Sequence, residues 1–207
     1  MDAKHISAII PLAVLQAVRA IDQRGQERSA EYQEEFTLKR LGMSPTVTAQ
    51  IERYRQLALR KDEVELEEVE QLFRLVGRRS DAGLAFSQGG RLAARHALQR
   101  IPGAVKLAHK VAPFRARQRI GLRSATRLAA SVFGAAMSLH PEQGVVVEAH
   151  PTTTVVTPGG VGCSFYSAAL AEMLRTVMDF EGAMLHDVCV TRGDDCCRWH
   201  TGSKQGW

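Results

Sequence analysis

The chain is poor in aromatic residues. Phe, Tyr and Trp make up 6% of 207 positions, so the interior must rest on Leu, Val, Ile and Ala. No apolar run approaches the roughly 20 residues that a bilayer-spanning helix needs. The opening Met1-Asp2-Ala3-Lys4-His5 is mixed and lacks the basic stub and apolar core of a secretory leader, so a cytoplasmic protein is expected. Internal repeats and low-complexity tracts are also missing. Hydrophobic residues at 45% and charged residues at 24% exclude a disordered chain. The length suits one domain with room for an appendage.

Acidic residues are almost absent from one long stretch. From Arg78 to Arg127 there are twelve bases, and Asp81 is the only acid. Lys61–Glu70, in contrast, holds six acids and one base. The basic segment can form the solvated face of helices that pair with the acidic block. It can also contact an anionic surface or a protein partner. Only Phe86 and Phe114 interleave with its bases, too few for a stacking platform. No helix-turn-helix, zinc-finger or RNP pattern is present, so sequence-specific nucleic-acid binding is not expected.

Apolar spacing predicts helices over residues 7–22, near Glu31–Leu41, from Pro45 to about Arg60 with Ser44 as the N-cap, and over Glu63–Val76. Residues 1–77 therefore read as a helical N-terminal segment for docking or dimerisation, and 78–207 as the main domain. Gly77, Gly83, Gly89 and Gly90 suggest a connection over 77–90. Further helices are expected at Gly90–Gln99 and Ser124–Leu139. After Pro141 the texture becomes β-branched. Val145–Ala149 and Thr153–Val156 read as strands, Gly162–Phe180 as a helix, Met184–Thr191 as a strand and Cys197–Thr201 as a short strand. The expected fold class is α+β, with N-terminal helices followed by a mostly antiparallel sheet covered by helices on one face.

Cysteine is scarce, and all four fall in the last 45 residues: Cys163, Cys189, Cys196 and Cys197. Such clustering in an intracellular chain points to metal or redox chemistry; the alternative is four ordinary buried thiols. Cys163 stands at the expected head of a helix, where free amides favour thiolate. Cys189 and Cys197 flank Arg192-Gly193-Asp194-Asp195, a strong turn, so their strands can bring both thiols to one ion. A tetrahedral site needs a fourth ligand, and His186, His200, Asp187 and Cys196 are candidates. His186 and Cys189 are three apart. They point to opposite faces of a regular strand, so this pair requires a bulge or a strand that begins at about Asp187.

The frame Cys163…His186-x2-Cys189-x3-Gly193-Asp194-x2-Cys197-x-Trp199 resembles the four-vinyl-reductase-like domain, which also occurs in phenol-responsive bacterial regulators. Cys163, Cys189 and Cys197 match the family's three thiol positions and Trp199 its aromatic one. His186 stands where the family usually has Glu. The resemblance covers about residues 85–201. It implies an α+β fold related to TRAPP-type subunits, a structural zinc (Zn2+) held by Cys163, His186, Cys189 and Cys197, a pocket for a hydrophobic small molecule, and a homodimer.

Other candidates are less pointed. His140 and His150 bracket one strand, and Glu148, Tyr166 and Glu172 have no second group placed beside them by spacing. The Gly159-Gly160-Val161-Gly162 run does not continue as a dinucleotide-binding fingerprint. The expected function is a zinc-stabilised binding module that acts as a sensor or accessory protein. The alternatives are an enzyme or enzyme factor of tetrapyrrole metabolism, with Cys163 as a possible nucleophile, and a scaffold acting through its basic helices.

Overall fold

The computed structural model describes residues 4–27, 41–150 and 157–202. It is α+β: helices packed against a four-stranded antiparallel sheet, with a small two-stranded sheet near the start of the chain. The expected Glu31–Leu41 helix and Thr153–Val156 strand lie, but for Leu41, outside the described residues.

Strand β1 (His5–Ser7) leads into α1 (Ile9–Glu27), where Pro11 falls in the first turn and displaces no hydrogen bond. Helix α2 (Pro45–Arg60) begins as the sequence suggests, with the Ser44 hydroxyl accepting from the Val47 amide at 3.2 Å and Pro45 at the first helical position. Strand β2 (Glu63–Glu65) pairs antiparallel with β1, placing Val64 opposite Ile6. Helix α3 (Leu66–Gly77) follows and buries Leu66, Val69, Phe73 and Val76. The Glu63 start expected for this helix thus belongs to a strand that the helical apolar spacing obscures.

The connection is confined to residues 78–81, and the rest of the glycine-rich stretch is helix. Helix α4 (Ala82–Gln99) runs through Gly83, Gly89 and Gly90. At Gly90 a Cβ would stand 2.1 Å from the Phe165 carbonyl oxygen, so glycine there lets two helices meet backbone to backbone. Packing, not flexibility, accounts for that residue. Short α5 (Gly103–Val111) and long α6 (Phe114–Phe133) come next. Gly134, at φ 61°, ends α6 and turns the chain straight into β3 (Ala135–His140). The Ser124–Leu139 helix read from composition therefore stops early. Its last residues alternate inward and outward as a strand.

Strand β4 (Gly144–Ala149) pairs with β3, helix α7 (Cys163–Met178) follows, and β5 (Leu185–Val188) and β6 (Cys197–His200) close the sheet in the order β3-β4-β6-β5. One rank of side chains crosses all four strands: Met137 opposite Val147, Val147 opposite Trp199, and Trp199 opposite His186. The neighbouring rank runs Ala135, Ala149, Cys197. These positions share the face that meets the helices, and Trp199 is wholly buried there against Tyr166 of α7. Residues from β1, α1 and α2 belong to the same apolar cluster as α7 and the sheet.

The acidic block and the basic segment do not pair. Glu68 takes Arg53, and Glu70 takes Arg74. Within the basic segment, Arg79 bridges Asp22 and Asp81 at 2.7 Å each, Arg95 meets Glu172, and Arg117 meets Asp179. No described helix is long and apolar enough to cross a membrane.

Candidate metal centre

Cys163, His186, Cys189 and Cys197 converge. Each offers one ligand atom, and these atoms all lie within 4.8 Å of one another, close enough to hold a metal ion. The three thiols are buried and the imidazole is partly so.

Three elements bring them together. Cys163 is the first residue of α7, behind Gly162, whose amide donates to the buried Thr157 hydroxyl at 2.8 Å. Cys197 opens β6 and faces inward in the rank of Ala149. His186 and Cys189 come from β5 and the loop after it. The parity problem is solved by a bulge: His186 opposes Trp199 while Val188 opposes Arg198, so Asp187 is an extra residue on that strand. The shift turns positions 186 and 189 to the same face.

The connection between β5 and β6 is longer than a tight hairpin turn. Val190–Arg192 form a single 3-10 turn, closed by bonds from the Arg192 and Gly193 amides to the Cys189 and Val190 carbonyls. The Asp194 carboxylate accepts from the Cys189 amide at 2.8 Å, which holds that ligand's backbone from below. The Thr191 hydroxyl lies 3.0 Å from the Cys189 sulfur. Asp194 was legible as a turn former, but its role in fixing Cys189 was not.

The thiols perturb one another strongly. A hydrogen bond from Cys163 lowers the Cys197 thiol's pKa, helped by the Val190 amide. The same bond, with burial and the neighbouring sulfurs, pushes the Cys163 thiol far up. Three sulfurs so close cannot all carry charge without a positive ion among them. Nε2 of His186 is buried and has no hydrogen-bond partner. Buried polar atoms are rarely left unpaired, and coordination is one way to satisfy such a nitrogen. The donor set therefore fits a metal.

The other candidates fall elsewhere. Cys196 lies outside the cluster, as adjacency to Cys197 requires. His200 accepts from the Gly202 amide through Nδ1 and stands 4.0 Å from Asp187, so these two also lie outside. Glu148 pairs with Arg198, Glu172 with Arg95 and Arg175, and His140 contacts Ser138. His150 is exposed.

A cavity of about 500 Å³ opens among α4, α5, α6 and α7. Leu98, Ile101, Val105, Ile120 and Val177 form apolar walls, with His109 and Ser124 among the polar groups. His109 donates through Nε2 to the Val177 carbonyl at 2.8 Å, and Gln118 donates to the Met178 carbonyl at 3.0 Å, so two orphan carbonyls at the tail of α7 find partners. The apolar α7 face from Phe165 to Met178 is core; the cavity meets its edge at Val177 and takes in the adjoining flank with Glu172 and Thr176. From Cys163 to Val177 is about 21 Å along the helix at its ordinary rise.

Set against protein-family models, curated proteins and solved structures, the chain matches none of them.

Proposed function

We propose that this protein is a zinc-stapled binding module for a hydrophobic small molecule, acting as a sensor or accessory protein. The observation that carries the reading is the buried set of three thiols and one imidazole at the head of α7, the helix whose tail walls an apolar cavity. Four protein ligands leave no open coordination position, which favours a structural ion over a catalytic one. Two sulfurs bound tetrahedrally to zinc at about 2.3 Å stand about 3.8 Å apart; Cys163 and Cys189 are 3.7 Å apart. Bound zinc neutralises the thiolates and ties the β5–β6 loop to α7. The cysteine frame is also what supports kinship with the vinyl-reductase-like domains.

A native mass spectrum of the purified chain tests this. The expected result is one zinc per chain, and an apolar ligand retained or captured in the cavity. A metal-free, fully folded protein overturns the proposal. The same spectrum reports whether the chain dimerises, as that kinship implies.

A further inference from the structure

Helix α5 buries none of its residues, although apolar and basic side chains alternate along it. Leu107 and Val111, one turn apart, are 63% and 75% exposed, and Phe114 at the start of α6 is 54% exposed. Each stands next in sequence to an exposed cation: Lys106, Lys110 and Arg115. On α6, Arg115, Arg119, Arg123 and Arg127 recur every four residues and so share one stripe of the helix. All four are exposed, and none forms an ion pair among the described residues. Between Asp81 and Glu142 the sequence has no acid at all.

We infer that the α5–α6 corner docks on an anionic membrane surface. The charge pattern alone admits nucleic acid as well, but the exposed aliphatic side chains separate the two. A phosphate backbone offers nothing to Leu107 and Val111, whereas a bilayer accepts them below the headgroups while the flanking lysines and arginines meet lipid phosphates. Aromatic stacking groups are absent from the stripe apart from Phe114, whose ring already lies under the Arg117 guanidinium at 5.9 Å. The arrangement suits a helix lying in the interface, since α5 is too short to span. The inner side of α5 lines the cavity with Val105 and His109, so a docked molecule holds that wall close to the bilayer. The inference stands on the surface alone and does not depend on what the cavity or the metal centre holds.

Flotation of the full chain with vesicles tests it. Vesicles of phosphatidylcholine containing phosphatidylglycerol are expected to carry the protein, and pure phosphatidylcholine vesicles are not. Replacing Leu107, Val111 and Phe114 together by Ser is expected to weaken binding about tenfold or more. Arg115→Ala and Arg119→Ala are each expected to weaken it about fivefold. The affected side chains are exposed, and circular dichroism checks that each variant folds. Should the apolar variant precipitate, Arg115→Glu with Arg119→Glu decides, since it keeps the apolar stripe and is expected to abolish flotation. Four results overturn the inference: no flotation with anionic vesicles; flotation unchanged by the Ser replacements, which marks simple adsorption of charge; a Ser variant that turns a dimer into a monomer without losing vesicle binding; or duplex RNA binding that outcompetes the vesicles.

Discussion

The imidazole of His186 lies flat against the indole of Trp199, with ring centroids 4.9 Å apart and planes 16° from parallel. Trp199 in turn packs on Tyr166 at 5.6 Å. The one nitrogen donor of the cluster is thus aimed by a wholly buried ring that offers no ligand atom of its own, and packing against α7 fixes that ring.

Metal removal should therefore be visible in tryptophan emission. Chelation is expected to change the Trp199 signal and to lower the melting temperature by about 10 °C or more, since a structural ion stabilises by several kcal/mol and a chain of this size shifts about 2–4 °C per kcal/mol. Trp199→Phe should abolish the emission change while keeping the ion. Fluorescence and thermal melts before and after chelation check both statements.

Cys163 and Cys196 should behave oppositely. Cys163→Ser is expected to lose the ion and destabilise the fold by about 3 kcal/mol or more in urea, because two thiolates and an imidazole are left buried around nothing. Cys196→Ser, outside the cluster, should leave metal content and urea midpoint unchanged within about 0.5 kcal/mol. A folded, metal-loaded Cys163→Ser chain that has lost a turnover would instead point to a nucleophile.

Two glycines of one helix make a sharp contrast. Gly90→Ala drives a methyl into the Phe165 carbonyl, forces α4 and α7 apart and is expected to cost about 2–4 kcal/mol. Gly83→Ala meets nothing within 4 Å and should stabilise α4 by about 0.5–1 kcal/mol. Paired urea titrations give both signs.

His96, which shares a 2.9 Å hydrogen bond with Gln16, supplies a pH dependence. Burial, with repulsion from Arg55, holds its pKa below the ordinary histidine value. The unfolded chain thus takes up a proton at a pH where the folded chain does not. That contribution to stability is whole above about pH 6.5 and shrinks as the pH falls toward the depressed folded value. His96→Gln should remove this component, so the stability difference between the two proteins should change between neutral and mildly acidic pH and flatten above it.

Much of this was legible in the residues. Ser44-Pro45 marked the start of α2, because a cap and a fixed φ are local devices. The β-branched run from Val145 and the apolar face of Phe165–Met178 marked β4 and α7 for the same reason. What stayed hidden depends on partners remote in sequence. Gly89 and Gly90 read as a break because glycine's usual meaning is flexibility, and only α7 lying against α4 reverses it. Residues 135–139 read as a helical tail, because Ala-rich segments favour helix until Gly134 and pairing with β4 override them. The cysteines announced a shared site, but the sequence left the fourth ligand open. The bulge at Asp187, which points His186 and Cys189 the same way, exists only in the register between β5 and β6.

Gly121 faces the Val177 carbonyl as Gly90 faces that of Phe165: a Cβ at position 121 would stand 1.9 Å from that oxygen. Bare main chain thus grips α7 near both of its ends. A helix held by interlocking side chains can ratchet by repacking them, but one seated main chain on main chain has no such intermediate steps. It cannot glide along its axis without pushing carbonyl oxygens into neighbouring Cα atoms. Whatever reaches the sulfur cluster from the far end of α7 must travel as a tilt or twist of a stiff rod, with its two glycine seats as the pivots.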